Sequence, residues 1–109
     1  RPKTIAGTHY FMHLGARVKA LVTPYADDDD REAFNVMFAW EAIRPLLYGL
    51  TSFVVPDEAT LEPSLFVEHL ERNGCTRVLT TPSLLATILQ HSGKDIGTRL
   101  AAMRTWFMC

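Results

Sequence analysis

The sequence predicts an α/β protein in which strands and helices alternate around a largely parallel sheet. Three observations predict it. Short β-prone runs such as Leu50–Val55 and Thr76–Thr80 alternate with amphipathic stretches of about ten residues. Turn and cap residues separate them: Pro24, Gly49, Pro56-Asp57, Gly74, Thr81-Pro82 and Ser92-Gly93. Connections of that length carry right-handed crossovers between parallel strands.

The elements follow in order. Lys3 to Gly7 reads as a short extended piece. Thr8 is an N-cap for a helix over 8–22, with Tyr10, Phe11, Leu14, Val18, Leu21 and Val22 on one side and Pro24 behind it. Ala26 to Arg31 is an acidic loop, and a buried strand is predicted near 33–37. A second helix over 39–48 contains Pro45, which implies a kink or a late first turn, and ends at Gly49. Its Trp40, Ile43, Leu46 and Leu47 form an apolar side suited to packing on the sheet. Leu50–Val55 is a strand stopped by Pro56-Asp57, and Pro63 and Ser64 open a helix over 63–73 that Gly74 closes. Thr76–Thr80 is the next strand. Thr81 caps a helix that starts with Pro82 at its first position and runs to His91. Asp95–Met103 makes a shorter helix, and a last strand covers 104–109.

With 109 residues the chain supports one small domain. Eleven basic residues against twelve acidic ones, with no basic block, argue against nucleic acid as a partner. Charged residues and proline interrupt every apolar run, so no membrane span is expected. Cys75 and Cys109 are too few for a disulfide framework and read as reduced thiols on buried strands, which fits a cytoplasmic protein. Neither end carries turn residues or a polar tail, so both read as internal to a longer protein. His9 and His13 have the i, i+4 spacing of a ligand pair but no third partner, and Asp27–Asp30 reads as a solvated loop. His69 and His91 fall near helix ends, where surface positions are expected. No metal site is expected. No G-x-S-x-G, G-x-G-x-x-G or complete P-loop occurs.

Three stretches carry more. Pro2-Lys3-Thr4 is followed by Thr8-His9; Phe34-Asn35-Val36-Met37-Phe38-Ala39-Trp40-Glu41 leads into Arg44-Pro45-Leu46-Leu47-Tyr48-Gly49; and Thr76 to Leu85 contains Thr80-Thr81-Pro82-Ser83. In order and spacing these resemble the adenylate-forming enzymes, the AMP-dependent synthetases and ligases. The resemblance covers the whole chain and is nearest to adenylation domains of the nonribosomal-peptide-synthetase type. Thr4 departs from the family's glycine after the lysine.

The resemblance implies part of the N-terminal core of an adenylation domain. It implies a parent enzyme that activates a carboxylic acid with ATP and Mg2+ and passes the acyl group to a carrier-protein phosphopantetheine or to CoA. A free-standing acyl-CoA ligase and a non-catalytic α/β interaction module are the alternatives. Lys3 would bind the ATP phosphates, and Val36, Met37, Trp40 and Thr80 would line the substrate pocket. No catalytic residue lies in these 109 residues, which are expected to be inactive alone. Where amino-acid-activating domains place an aspartate for the α-ammonium, this chain has Val36, or Asn35 if the register slips by one. The acid expected is therefore one without a free α-amino group, because an unpaired buried ammonium is costly.

Overall fold

The computed structural model describes residues 2–35 and 39–108. The described elements, in chain order, are α1 (His9–Val22), β1 (Arg31–Phe34), α2 (Ala39–Leu47), β2 (Thr51–Val54), α3 (Asp57–Leu61), α4 (Pro63–Arg72), β3 (Arg77–Thr80), α5 (Pro82–Ser92), α6 (Ile96–Arg99) and β4 (Thr105–Met108). The four strands form one parallel sheet in the order β2-β1-β3-β4. The predicted α/β class and parallel sheet are therefore present.

Period-two alternation divides the sheet into two unlike faces. Ala33 stands beside Phe53 and Val78, and Val78 beside Trp106, giving an apolar row across all four strands. Phe66, Val67 and Leu70 of α4, Ile88 of α5 and Leu100 pack on this row, with Val55, Ala59 and Cys75 completing the core. The opposite face carries Glu32 beside Ser52 and Arg77, and Arg77 beside Thr105. That row is polar, and α2 lies over it.

Local chemistry sets the helix ends. The Thr8 hydroxyl accepts from the Phe11 amide at 3.2 Å, and the Thr81 hydroxyl accepts from the Leu84 amide at 3.3 Å. Pro63 and Pro82 occupy first turns, where a missing N–H costs nothing. Gly49 at φ +79° and Gly74 at φ +57° take the left-handed conformation that ends α2 and α4.

Four differences from the sequence reading have physical causes. β1 begins at Arg31, earlier than expected, because Arg31 pairs with Thr51 and its carbonyl accepts from the Thr76 amide at 2.9 Å. The predicted end of that strand, near residue 37, lies outside the described residues. Asp57–Leu61 forms the short α3, which Pro56 precedes and whose first turn is acidic, where the sequence suggested only a break. The predicted helix over 95–103 shortens to α6, because the Arg104 amide already donates to the Thr76 carbonyl at 2.8 Å as the chain joins the sheet. The acidic loop is not wholly solvated: Asp29 is buried, while Asp28 pairs with Arg104.

Cys75 is a buried free thiol just before β3. Burial raises its pKa from 9.0 to about 11. The folded thiol resists ionisation more than the unfolded one, so its contribution to stability is complete below pH 9 and is lost as pH rises towards 11. Urea midpoints are expected to fall between pH 8.5 and pH 10. Cys75→Ala should flatten that slope by up to about 2–3 kcal/mol across the full window, at a pH-independent cost from the small cavity. An unchanged slope in the variant would show that the thiol is not responsible.

Candidate functional site

Polar side chains concentrate in two places: under α2, and at the carboxyl edge of the sheet. Under α2, Glu32 on β1 receives the Arg44 guanidinium in a short buried ion pair. Arg44 Nε also donates to Glu41 Oε2 at 3.1 Å, and Lys19 Nζ of α1 reaches Glu41 Oε1 at 2.6 Å. Arg77 Nη1 donates to Asp29 Oδ2 at 2.8 Å, and its Nε lies 3.5 Å from Glu32 Oε2. Three cations and three carboxylates thus balance in one cluster.

Aromatic rings complete it. The Arg77 guanidinium lies 4.3 Å from the Tyr25 ring centre and 4.7 Å from that of Phe107. Arg44 lies 5.9 Å and 5.6 Å from the same rings and donates to the Tyr25 hydroxyl at 2.5 Å. Such stacking suits guanidinium, whose face is weakly hydrated. Burial, and then the negative Glu32, raise the Tyr25 phenol far above its ordinary range. For Arg44, burial is the largest influence and opposes the charge, but Glu32, Tyr25 and Glu41 together outweigh it, and the net shift is upward. Every member is engaged with another, so the cluster is built as a lock rather than as an open catalytic centre. Arg77 also donates to the Thr23 and Pro24 carbonyls at 3.0 and 3.2 Å, which fastens the segment following α1 to the sheet.

The carboxyl edge differs. From β1 the chain runs by α2 to β2 on one side, whereas from β3 it runs by α5 and α6 to β4 on the other. β1 and β3 are therefore neighbours at the point where the strand order reverses. In open α/β sheets the crevice outside the carboxyl ends at that point is where ligands bind. Asn35 directly follows β1, and Thr80 ends β3. Thr80 is fully buried, and neither its Oγ1 nor the buried Asn35 Oδ1 has a hydrogen-bond partner among the described residues. Unsatisfied buried oxygens are uncommon and costly. Asp29 Oδ1, Glu32 Oε2 and Ser52 Oγ are also without a hydrogen-bond partner among the described residues, but only Asn35 and Thr80 stand at the switch point, which makes it the best candidate for a ligand site.

A third feature is a groove of about 610 Å³ between α1 and α2, walled by Phe11, Leu14, Val18, Trp40, Ile43 and Leu47 with Lys19 and Glu41 among its polar members. Of the residues expected from the sequence, Trp40 lies in this wall, on the first turn of α2, and Thr80 lies at the switch point. Lys3 is exposed on the segment before α1, where no strand forms, and lines neither place. Val36 and Met37 lie outside the described residues. Asn35, mentioned in the sequence only as a one-residue slip, is brought beside β3 by the register that pairs Phe34 with Leu79. The buried Glu32–Arg44–Arg77 chain was not foreseen; a charged residue at the start of each of two strands was its only signal. His9 and His13 are both exposed, and no metal-binding group of three occurs among the described residues. His69 is half-buried, with burial and then Arg72 lowering its pKa, so it is not the plain surface residue expected. Among the described residues no helix is long and apolar enough to cross a membrane.

No family model matches the chain. Among curated proteins it is 41% identical over 109 residues to the glycine betaine reductase ATRR of Emericella nidulans, a match that covers 99% of this chain. The chain spans 8% of that relative's length. Among solved structures it superposes on CmiS6 with a TM-score of 0.71 at 25% identity, over 89% of this chain and 23% of that one. These matches correct the sequence reading. The curated relative is named as a reductase, so the assignment to adenylate-forming enzymes is replaced, and with it the ligase function in its carrier-protein and CoA forms. The motifs that suggested it have local structural roles here. Thr81 and Pro82 start α5, Gly49 ends α2, Glu41 and Arg44 serve the charge cluster, and Lys3 is exposed. A parallel α/β unit calls for strand–cap–helix signals of this kind whatever chemistry it hosts.

Removing one member of the cluster should be expensive, because the remaining buried charges lose their partner. Arg77→Met is expected to lower unfolding free energy by about 3–5 kcal/mol, read from urea midpoints. Lys19→Met, at the half-exposed edge, should cost no more than about 1 kcal/mol. Equal losses would show that the buried network is no more important than a surface pair.

Proposed function

We propose that this chain is the ligand-binding α/β segment of a larger reductase that acts on a small carboxylic acid bearing a quaternary ammonium group, of the glycine betaine kind. The observation that carries the reading is the 41% identity, along nearly the whole chain, to a protein named for that activity. The ligand is assigned to the switch-point crevice, between Asn35 and Thr80. The reductive step belongs to other parts of the larger protein, since the segment supplies no glycine-rich nucleotide loop of its own.

The chemistry of the crevice supports this ligand class. A quaternary ammonium has no N–H to donate, so it needs no carboxylate within hydrogen-bond reach and is held by aromatic faces and a low-polarity wall. Asn35 and Thr80 are neutral, and the unpartnered Thr80 hydroxyl can donate a hydrogen bond to a ligand carboxylate. This agrees with the expectation of an acid that lacks a free α-amino group.

The test uses the full-length polypeptide that contains these residues. Calorimetric titration should show glycine betaine binding more tightly than glycine. Thr80→Val should weaken betaine binding about 10- to 150-fold, the range for losing one hydrogen bond to a charged group. Unchanged affinity in Thr80→Val would remove the ligand from this crevice.

A further inference from the structure

The apolar sides of α1 and α2 point the wrong way for this chain. At about 100° per residue, Tyr10, Phe11, Leu14, Val18, Leu21 and Val22 fall within one-third of the circumference of α1. All six are exposed, Phe11 by 61% and Leu21 by 80%. The side of α1 that meets the rest of the molecule is instead Ala16 and Lys19. α2 is inverted in the same sense. Glu41, Arg44 and Pro45 are buried, whereas Ile43, Leu46 and Leu47 are exposed and Trp40 is partly so. The two stripes meet in the groove between the helices. Scattered surface leucines need no explanation, but a continuous patch of this extent on two adjacent helices marks an interface.

We infer that this α1–α2 face is an intramolecular interface, covered by apolar elements of the same polypeptide outside residues 1–109. The relatives' lengths supply the occupant. The unit makes up 23% of the CmiS6 chain and 8% of the reductase, so in both it is embedded in a much longer polypeptide. A second copy fits poorly. Lys19 is already paired with Glu41 on the other side of α1, and Arg17 beside the stripe finds no acidic residue on α1, so pairing α1 with itself gains no ion pair in either orientation. A bilayer fits poorly too, because part of the stripe lines a concave groove and a membrane surface is flat. The inference is independent of the ligand assigned above.

Cysteine accessibility in the full-length polypeptide tests it. Leu14→Cys and Val18→Cys are compared with Glu68→Cys and Lys94→Cys, exposed sites away from the face, and maleimide labelling is read site by site by mass spectrometry. Two sites on the face keep the test decisive if one variant folds poorly. Labelling at 14 and 18 is expected to be at least tenfold slower than at the reference sites and independent of protein concentration. Equal rates at all four sites would overturn the inference. Protection that disappears on dilution would assign the face to a second copy, and protection that appears only with lipid vesicles would assign it to a membrane. Either result would overturn the intramolecular interface.

Discussion

The buried ion pair between Glu32 and Arg44, extended by Arg77, is the constraint on which much of the structure depends. It joins β1 to α2, β1 to β3, and through Asp29 and the Thr23 and Pro24 carbonyls it joins the sheet to the segment after α1. A buried charge is tolerated only when paired and hydrogen-bonded. Each member therefore dictates where the next must sit. Tyr25 and Phe107 close the cluster with ring faces, which exclude water without competing for the guanidinium hydrogen bonds.

This arrangement explains the unusual orientation of the helices. In a typical α/β layer the apolar stripe of a helix lies on the sheet. Here the sheet face opposite the main core presents Glu32 and Arg77, so α2 must offer Glu41 and Arg44 to it. Its apolar residues are turned outward as a consequence. α1 follows, because Lys19 is drawn to Glu41. The core on the other face, around Phe66, Val78 and Ile88, is ordinary by comparison and needs nothing beyond itself.

The same division bears on function. The lock beneath α2 is closed by its ion pairs, although Asp29 Oδ1, Glu32 Oε2 and Arg77 Nε make no hydrogen bond among the described residues, and it suits a scaffold. The unpaired oxygens of Asn35 and Thr80 instead stand at the strand ends where the two directions of crossover part. A rigid sheet holding a few unsatisfied groups at its edge can serve as one wall of a binding site.

The sequence by itself determined the class of fold, the order of its elements and most of their ends. Those features rest on local physics: period-two runs, the hydroxyl caps at Thr8 and Thr81, prolines in first turns, and glycines where φ is positive. It also pointed to Thr80 and Trp40 as residues of interest, and its short motifs led to the wrong enzyme family because they are signals that many parallel α/β units share. Only the tertiary structure decided which side of each helix is buried, that Asn35 stands beside β3, and that three arginine and glutamate side chains far apart in the chain form one network. Amphipathic periodicity reveals that a helix has two sides, but the partner it meets decides which side turns inward, and here that partner is charged.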